Sequence, residues 1–169
     1  VLVINPTYFG FTADLKRIVE IAHDRNIPVV VDASGMRDVV YNDFYIAEGA
    51  EVTIIAGCGI HNSGCNETRH DGIHSFYVGK GANVRYEEKH YGEGEGIGAK
   101  VLNPVTKIFL DEDAVFTLDT VQIKGVDSTI RETDVKMERN SKLYVVEKLM
   151  THDNQAAESN MEVQMNGEG

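Results

Sequence analysis

Two thiols and three imidazoles fall within 17 residues: Cys58, His61, Cys65, His70 and His74. Thiolate and imidazole are the ligands that zinc, iron or an iron–sulfur centre takes, so metal chemistry could sit on this stretch. The spacing matches no zinc motif. Cys58 and Cys65 stand seven positions apart, wider than a zinc ribbon, and His70-x₃-His74 shares one face only on a helix. Gly57, Gly59, Gly64 and Gly72 disfavour that helix. Two readings stay open: a metal or cluster site through Cys58, Cys65, His61, His70 and His74, or a glycine-rich loop with one buried thiol and exposed imidazoles. A nucleophilic pair of Cys58 or Cys65 with His61 or His70 has no evident orienting group or oxyanion site.

Two other stretches invite chemistry. Glu87 to Gly98 interleaves glycine with Glu93 and Glu95, which would repel phosphate, and no Gly-Lys-Ser/Thr follows. It reads as a flexible acidic loop. Asp32 ends the apolar run Val29-Val30-Val31. There α/β folds place ligand groups, and an acid can pair with a cofactor ring nitrogen or simply start a turn.

The elements that must position these residues come in two styles. Val1-Leu2-Val3-Ile4 and Ile27 to Asp32 are short apolar runs. Between them Leu15, Ile18, Val19 and Ala22 recur at helical spacing, with Thr12 available as a cap and Asn26 and Pro28 as terminators. Strand, helix, strand over about 32 residues is a βαβ unit with parallel strands. From Asp38 onward no helix pattern recurs and a repeat takes over. Short alternating strands flank four-residue polar turns whose last small residue falls at Ala50, Ala82, Ala114, Ser141 and Gly169, in steps of 32, 32, 27 and 28. Each unit is too short for a propeller blade and lacks the helix of a leucine-rich repeat, so a stacked β-solenoid fits best, ahead of an antiparallel sandwich.

Composition narrows the function classes. The chain has 169 residues, 16 basic and 27 acidic, for a formal charge of −11. That argues against a nucleic-acid or anionic-membrane binder, both of which need clustered Lys and Arg. No apolar run approaches the roughly 20 residues that span a bilayer. Two cysteines are too few for a disulfide scaffold, which sets the expectation of a reduced, cytoplasmic protein. Val1 at the start and Gly169 at the end read as cuts from something longer.

Residues 38–46, Ala56 to Asn62, His70 to His74, Glu88 to Gly94, Thr120 to Thr129, Glu147-Lys148-Leu149 and Asn166-Gly167-Glu168 resemble the SufB/SufD family in order, over about residues 35–169. The resemblance implies a mainly β protein, a right-handed parallel β-helix, incomplete at its C-terminal end. It also implies a non-enzymatic scaffold of iron–sulfur cluster assembly, carrying a cluster transiently and working with a SufC-type ABC ATPase and a SufB/SufD paralogue. Residues 1–34 form a segment of different origin. Asn5-Pro6-Thr7-Tyr8-Phe9-Gly10 and the strand into Asp32 are similar to the large domain of the pyridoxal-phosphate Orn/Lys/Arg decarboxylases. There the strand-end Asp binds the pyridine nitrogen. That family continues with a stacking His and supplies a Schiff-base Lys from Ser-x-His-Lys. This chain runs Asp32-Ala33-Ser34-Gly35 and has no such segment, so binding of pyridoxal phosphate is not expected. The second function carried forward is a fragment of such a decarboxylase.

Overall fold

The computed structural model describes residues 2–4, 14–25, 27, 29–32 and 40–167. The chain divides into two compact units, 1–37 and 38–169.

In the first unit β1 (Leu2–Ile4) pairs in parallel with β2 (Val30–Asp32), so that Ile4 stands beside Asp32. Helix α1 (Leu15–His23) lies between them in sequence, as the βαβ pattern requires. Its cap is Asp14, whose carboxylate accepts from the Arg17 amide at 3.0 Å; Thr12, Asn26 and Pro28 lie outside the described residues. Leu15, Ile18 and Val19 are half-buried and Ala22 is buried, while Lys16, Arg17 and Glu20 face water. One apolar stripe therefore accounts for the helix.

The second unit is a parallel β-solenoid of about four turns. Its strands are β3 (Val40–Ile46), β4 (Glu51–His61), β5 (Thr68–His70), β6 (Gly72–Val78), β7 (Asn83–Glu93), β8 (Lys100–Leu102), β9 (Val105–Leu110), β10 (Val115–Gln122), β11 (Ser128–Met137), β12 (Lys142–Leu149) and β13 (Ala156–Met165). One sheet runs β12-β10-β7-β4; the other runs β3-β6-β9-β11-β8-β5, with β13 on β11. Every pairing is parallel. A strand therefore meets its own equivalent one coil later, which is what a constant repeat step produces.

The turns at 47–50, 79–82, 111–114 and 138–141 stack along one edge. The Gly49 amide donates to the Lys80 carbonyl, Gly81 to Glu112 and Asp113 to Arg139. The third residue of each turn is left-handed: Gly49, Gly81, Asp113 and Asn140 have φ of 65°, 63°, 59° and 58°. Glycine takes that conformation freely, and Asp and Asn tolerate it better than other side chains. The small residue ending the turn points inward, with Ala82 and Ala114 fully buried.

Alternation along β6, β7, β9 and β10 then fills the interior. Phe76, Val78, Val84, Tyr86, Ile108, Leu110, Phe116 and Leu118 form its apolar core. Phe76 packs edge-on to Phe116 with centroids 5.0 Å apart. Each such aromatic or aliphatic side chain contributes on the order of 1.5–3 kcal/mol by leaving water. Outside, register shows as an aromatic ladder, with Tyr45 stacked on Tyr77 at 4.8 Å and Tyr77 on Phe109 at 4.9 Å. No helix among the described residues is long and apolar enough to cross a membrane.

Candidate ligand cluster inside the solenoid

Past Tyr86 the inward rows of the solenoid turn polar. In register, Ala56, Glu88, Thr120 and Glu147 form one row, and Cys58, His90, Gln122 and Leu149 the next. Glu88, His90, Thr120 and Gln122 are all buried. The stretch read from sequence as a flexible acidic loop is strand β7 as far as Glu93. Its even-numbered residues point inward because the strand simply continues the alternation begun at Val84.

Glu88 is the hub. The Tyr86 hydroxyl donates to Glu88 Oε1 at 2.8 Å. Having spent its proton there, that hydroxyl accepts from His74 Nδ1 at 2.6 Å. His90 Nε2 lies 3.2 Å from Glu88 Oε1, and Cys58 Sγ lies 3.9 Å from the same oxygen. Arg131 comes from β11, its Nε 2.8 Å from Glu147 Oε1 and its guanidinium 4.0 Å from Glu88 Oε2. Arg131 also donates to His90 Nδ1 at 3.0 Å. A guanidinium has no lone pair to offer, so in this contact Nδ1 is the accepting nitrogen of the His90 ring and any single ring proton sits on Nε2.

Burial alone would push the Glu88 carboxyl up, but His90, His74 and the Tyr86 hydroxyl outweigh it and hold the group to about 2. It is a carboxylate at neutral pH. Cys58 goes the other way: burial first, then the Glu88 charge, push its thiol up to about 12. Burial also lowers His70 and His74.

Of the five residues singled out from sequence, the structure gathers only some. Cys58 lies on β4, half-buried and facing the cluster. His74 is buried on β6 and joined to it through Tyr86. His70, at the end of β5, is half-buried, while His61 and Cys65 are exposed. Among the described residues, the ligand atoms that converge are those of Cys58, Glu88 and His90, all within 4.8 Å of one another. Glu88 and His90 were missed because their segment was judged by its glycines. The repeat carried the signal: adding 32 to Cys58 gives His90, and adding 32 to Ala56 gives Glu88.

No family model matches the chain, and no solved structure matches it. Curated proteins do. The chain is 42% identical over 69 residues to the arginine decarboxylase of Bacillus subtilis, covering 40% of this chain and 14% of that protein. It is 41% identical over 69 residues to the arginine decarboxylase of Bacillus cereus, covering 40% and 15%. It is 68% identical over 31 residues to the arginine decarboxylase of Halalkalibacterium halodurans, covering 18% and 6%. The chain thus spans 15% or less of the length of these relatives. These matches support the decarboxylase resemblance and correct the SufB/SufD expectation. The iron–sulfur scaffold, its cluster, the SufC-type ATPase and the SufB/SufD paralogue have no support among them. The resemblance had captured the coil repeat, and a repeat reports the architecture it builds, not the activity carried on it.

Proposed function

We propose that the chain is part of a pyridoxal-phosphate-dependent decarboxylase of basic amino acids, to which its first unit contributes the strand ending in Asp32. The setting is cytoplasmic, in keeping with Cys58 and Cys65 as free thiols. The observation that carries the reading is the 68% identity over 31 residues to an arginine decarboxylase. The parallel pair β1–β2 with its intervening helix supports it, since Asp32 is the last paired residue of its strand.

The residues in hand do not complete a cofactor site. The first unit has one lysine, Lys16, exposed on α1. No histidine follows Asp32 in the position where the resembling family stacks one on the ring. No catalytic step is therefore assigned to this chain alone; the Schiff-base lysine belongs to the rest of such an enzyme.

Complementation in trans tests the reading. The Bacillus subtilis arginine decarboxylase would be expressed without its corresponding strand–helix–strand and mixed with this chain, pyridoxal phosphate and arginine. Release of carbon dioxide by the mixture, by neither component alone, and not by the mixture with Asp32→Asn is the expected result. A soluble mixture that stays inactive, or that Asp32→Asn leaves equally active, sinks the proposal.

A further inference from the structure

We infer that Cys58, Glu88 and His90 form a three-ligand site for one divalent transition-metal ion of the zinc class, set inside the solenoid. Two independent observations carry it. The first is convergence, of one sulfur, one carboxylate oxygen and one imidazole nitrogen within 4.8 Å. Metal bonds near 2.0–2.3 Å in a tetrahedron give ligand-to-ligand edges of roughly 3.3–3.7 Å. The separations of 3.2 Å from His90 Nε2 and 3.9 Å from Cys58 Sγ to Glu88 Oε1 already bracket that range.

The second observation is unmet hydrogen bonding. Glu88 Oε2 and His90 Nε2 are buried without a well-directed hydrogen bond, with only Arg131 4.0 Å from the first and Glu88 Oε1 3.2 Å from the second, and Thr120 Oγ1 and Gln122 Oε1 in the same two rows one coil later have no partner. Buried polar atoms are almost always satisfied, and four together mark a place built for something more. A cation held by Glu88 Oε1 and His90 Nε2 would engage that imidazole nitrogen, and a water completing its coordination would find partners in Glu88 Oε2, Thr120 and Gln122.

Donor type defines the ion. Sulfur with nitrogen and one oxygen suits zinc, cobalt or ferrous iron, and excludes magnesium and calcium, which take oxygen alone. On binding, the thiol proton of Cys58 leaves to solvent. The His90 ring proton passes from Nε2 to Nδ1, so Arg131 gives up that nitrogen and keeps Glu147. Cys58, half-buried and not sealed, offers the way in.

The test uses the full chain, stripped with chelator and titrated with Co²⁺, whose absorption reports both thiolate ligation and tetrahedral geometry. One equivalent binding with a sulfur-to-cobalt charge-transfer band, displaced by Zn²⁺, is expected. Cys58→Ser should abolish the band and weaken binding by at least about tenfold, with the β-sheet circular dichroism retained; Cys58→Ala repeats the measurement if the serine variant does not fold. Cys65→Ser should change nothing. A wild-type chain that shows no band, a band that survives both Cys58 variants, or a band lost in Cys65→Ser overturns the site and leaves the orphaned atoms to buried water.

Discussion

Two stretches of the same interior differ in everything except their backbone. Next to the turn edge, the rows Ile46-Val78-Leu110, Val52-Val84-Phe116 and Ile54-Tyr86-Leu118 fill the solenoid with hydrocarbon and rings. A few residues further along β4, β7 and β10, the rows through Glu88 and His90 fill it with charged and polar groups. Alternation chooses only which residues point inward. The apolar rows draw their stability from area and tolerate repacking of similar volume. In the polar rows Glu88, His90 and Arg131 lean on one another, so a single deletion there exposes an uncompensated partner.

That contrast can be attacked at four points. Phe116→Ala empties a fully buried ring site against Phe76 and should cost about 3–5 kcal/mol in urea unfolding; a loss near 1 kcal/mol would mean the coils collapse freely onto the hole. Arg131→Met keeps volume in the polar half but strands Glu88 and Glu147, and should cost about 3 kcal/mol. If the methionine variant proves as stable as the native chain, the polar rows are not mutually dependent.

Acid should separate the halves next. His74 and His70 have folded pKa values below 6.5, so below that pH the unfolded chain binds more protons and stability falls as pH drops. Glu88, held to about 2 against an ordinary 4.5, adds a second loss in the same direction between pH 4.5 and about 2. His74→Asn should flatten the first step in urea midpoints measured against pH, whereas Leu118→Val in the apolar rows should leave its slope unchanged. The smallest effect belongs to the turn edge. Gly81→Ala forces a Cβ into φ of 63° and should cost about 1 kcal/mol, while Asn140→Gly should cost nothing. Equal effects at both positions would show that the turn conformation is not what limits them.

Sequence patterns revealed the coils far better than the cluster. Turn chemistry acts locally: Gly49, Gly81, Asp113 and Asn140 each announce a left-handed residue within four positions, and the small residues Ala50, Ala82 and Ala114 follow at once. The cluster depends on neighbours about 30 positions apart, so no local window contains it. Cys58 and His74 stood out because their chemistry is rare. Glu88 and His90 sit among Glu87, Lys89 and Glu93, where charge ordinarily means solvent, and only the inter-coil register turns them inward. His61 and Cys65 failed for the opposite reason: they are near Cys58 in sequence, but His61 ends its strand and Cys65 lies in the corner after it.

The parallel register has a mechanical consequence. Bonds such as Asn83 amide to Ala50 carbonyl and Val115 amide to Ala82 carbonyl run along the solenoid axis, so a force applied to the end of the chain meets them one after another, not all at once. The molecule should peel coil by coil, giving a low saw-tooth in place of one rupture. With coils of 27 to 32 residues, each tooth should lengthen the chain by roughly 9–11 nm. The teeth that release the coils bearing Arg131 and Glu88 should stand above the last, because there peeling must separate buried charges as well as backbone bonds.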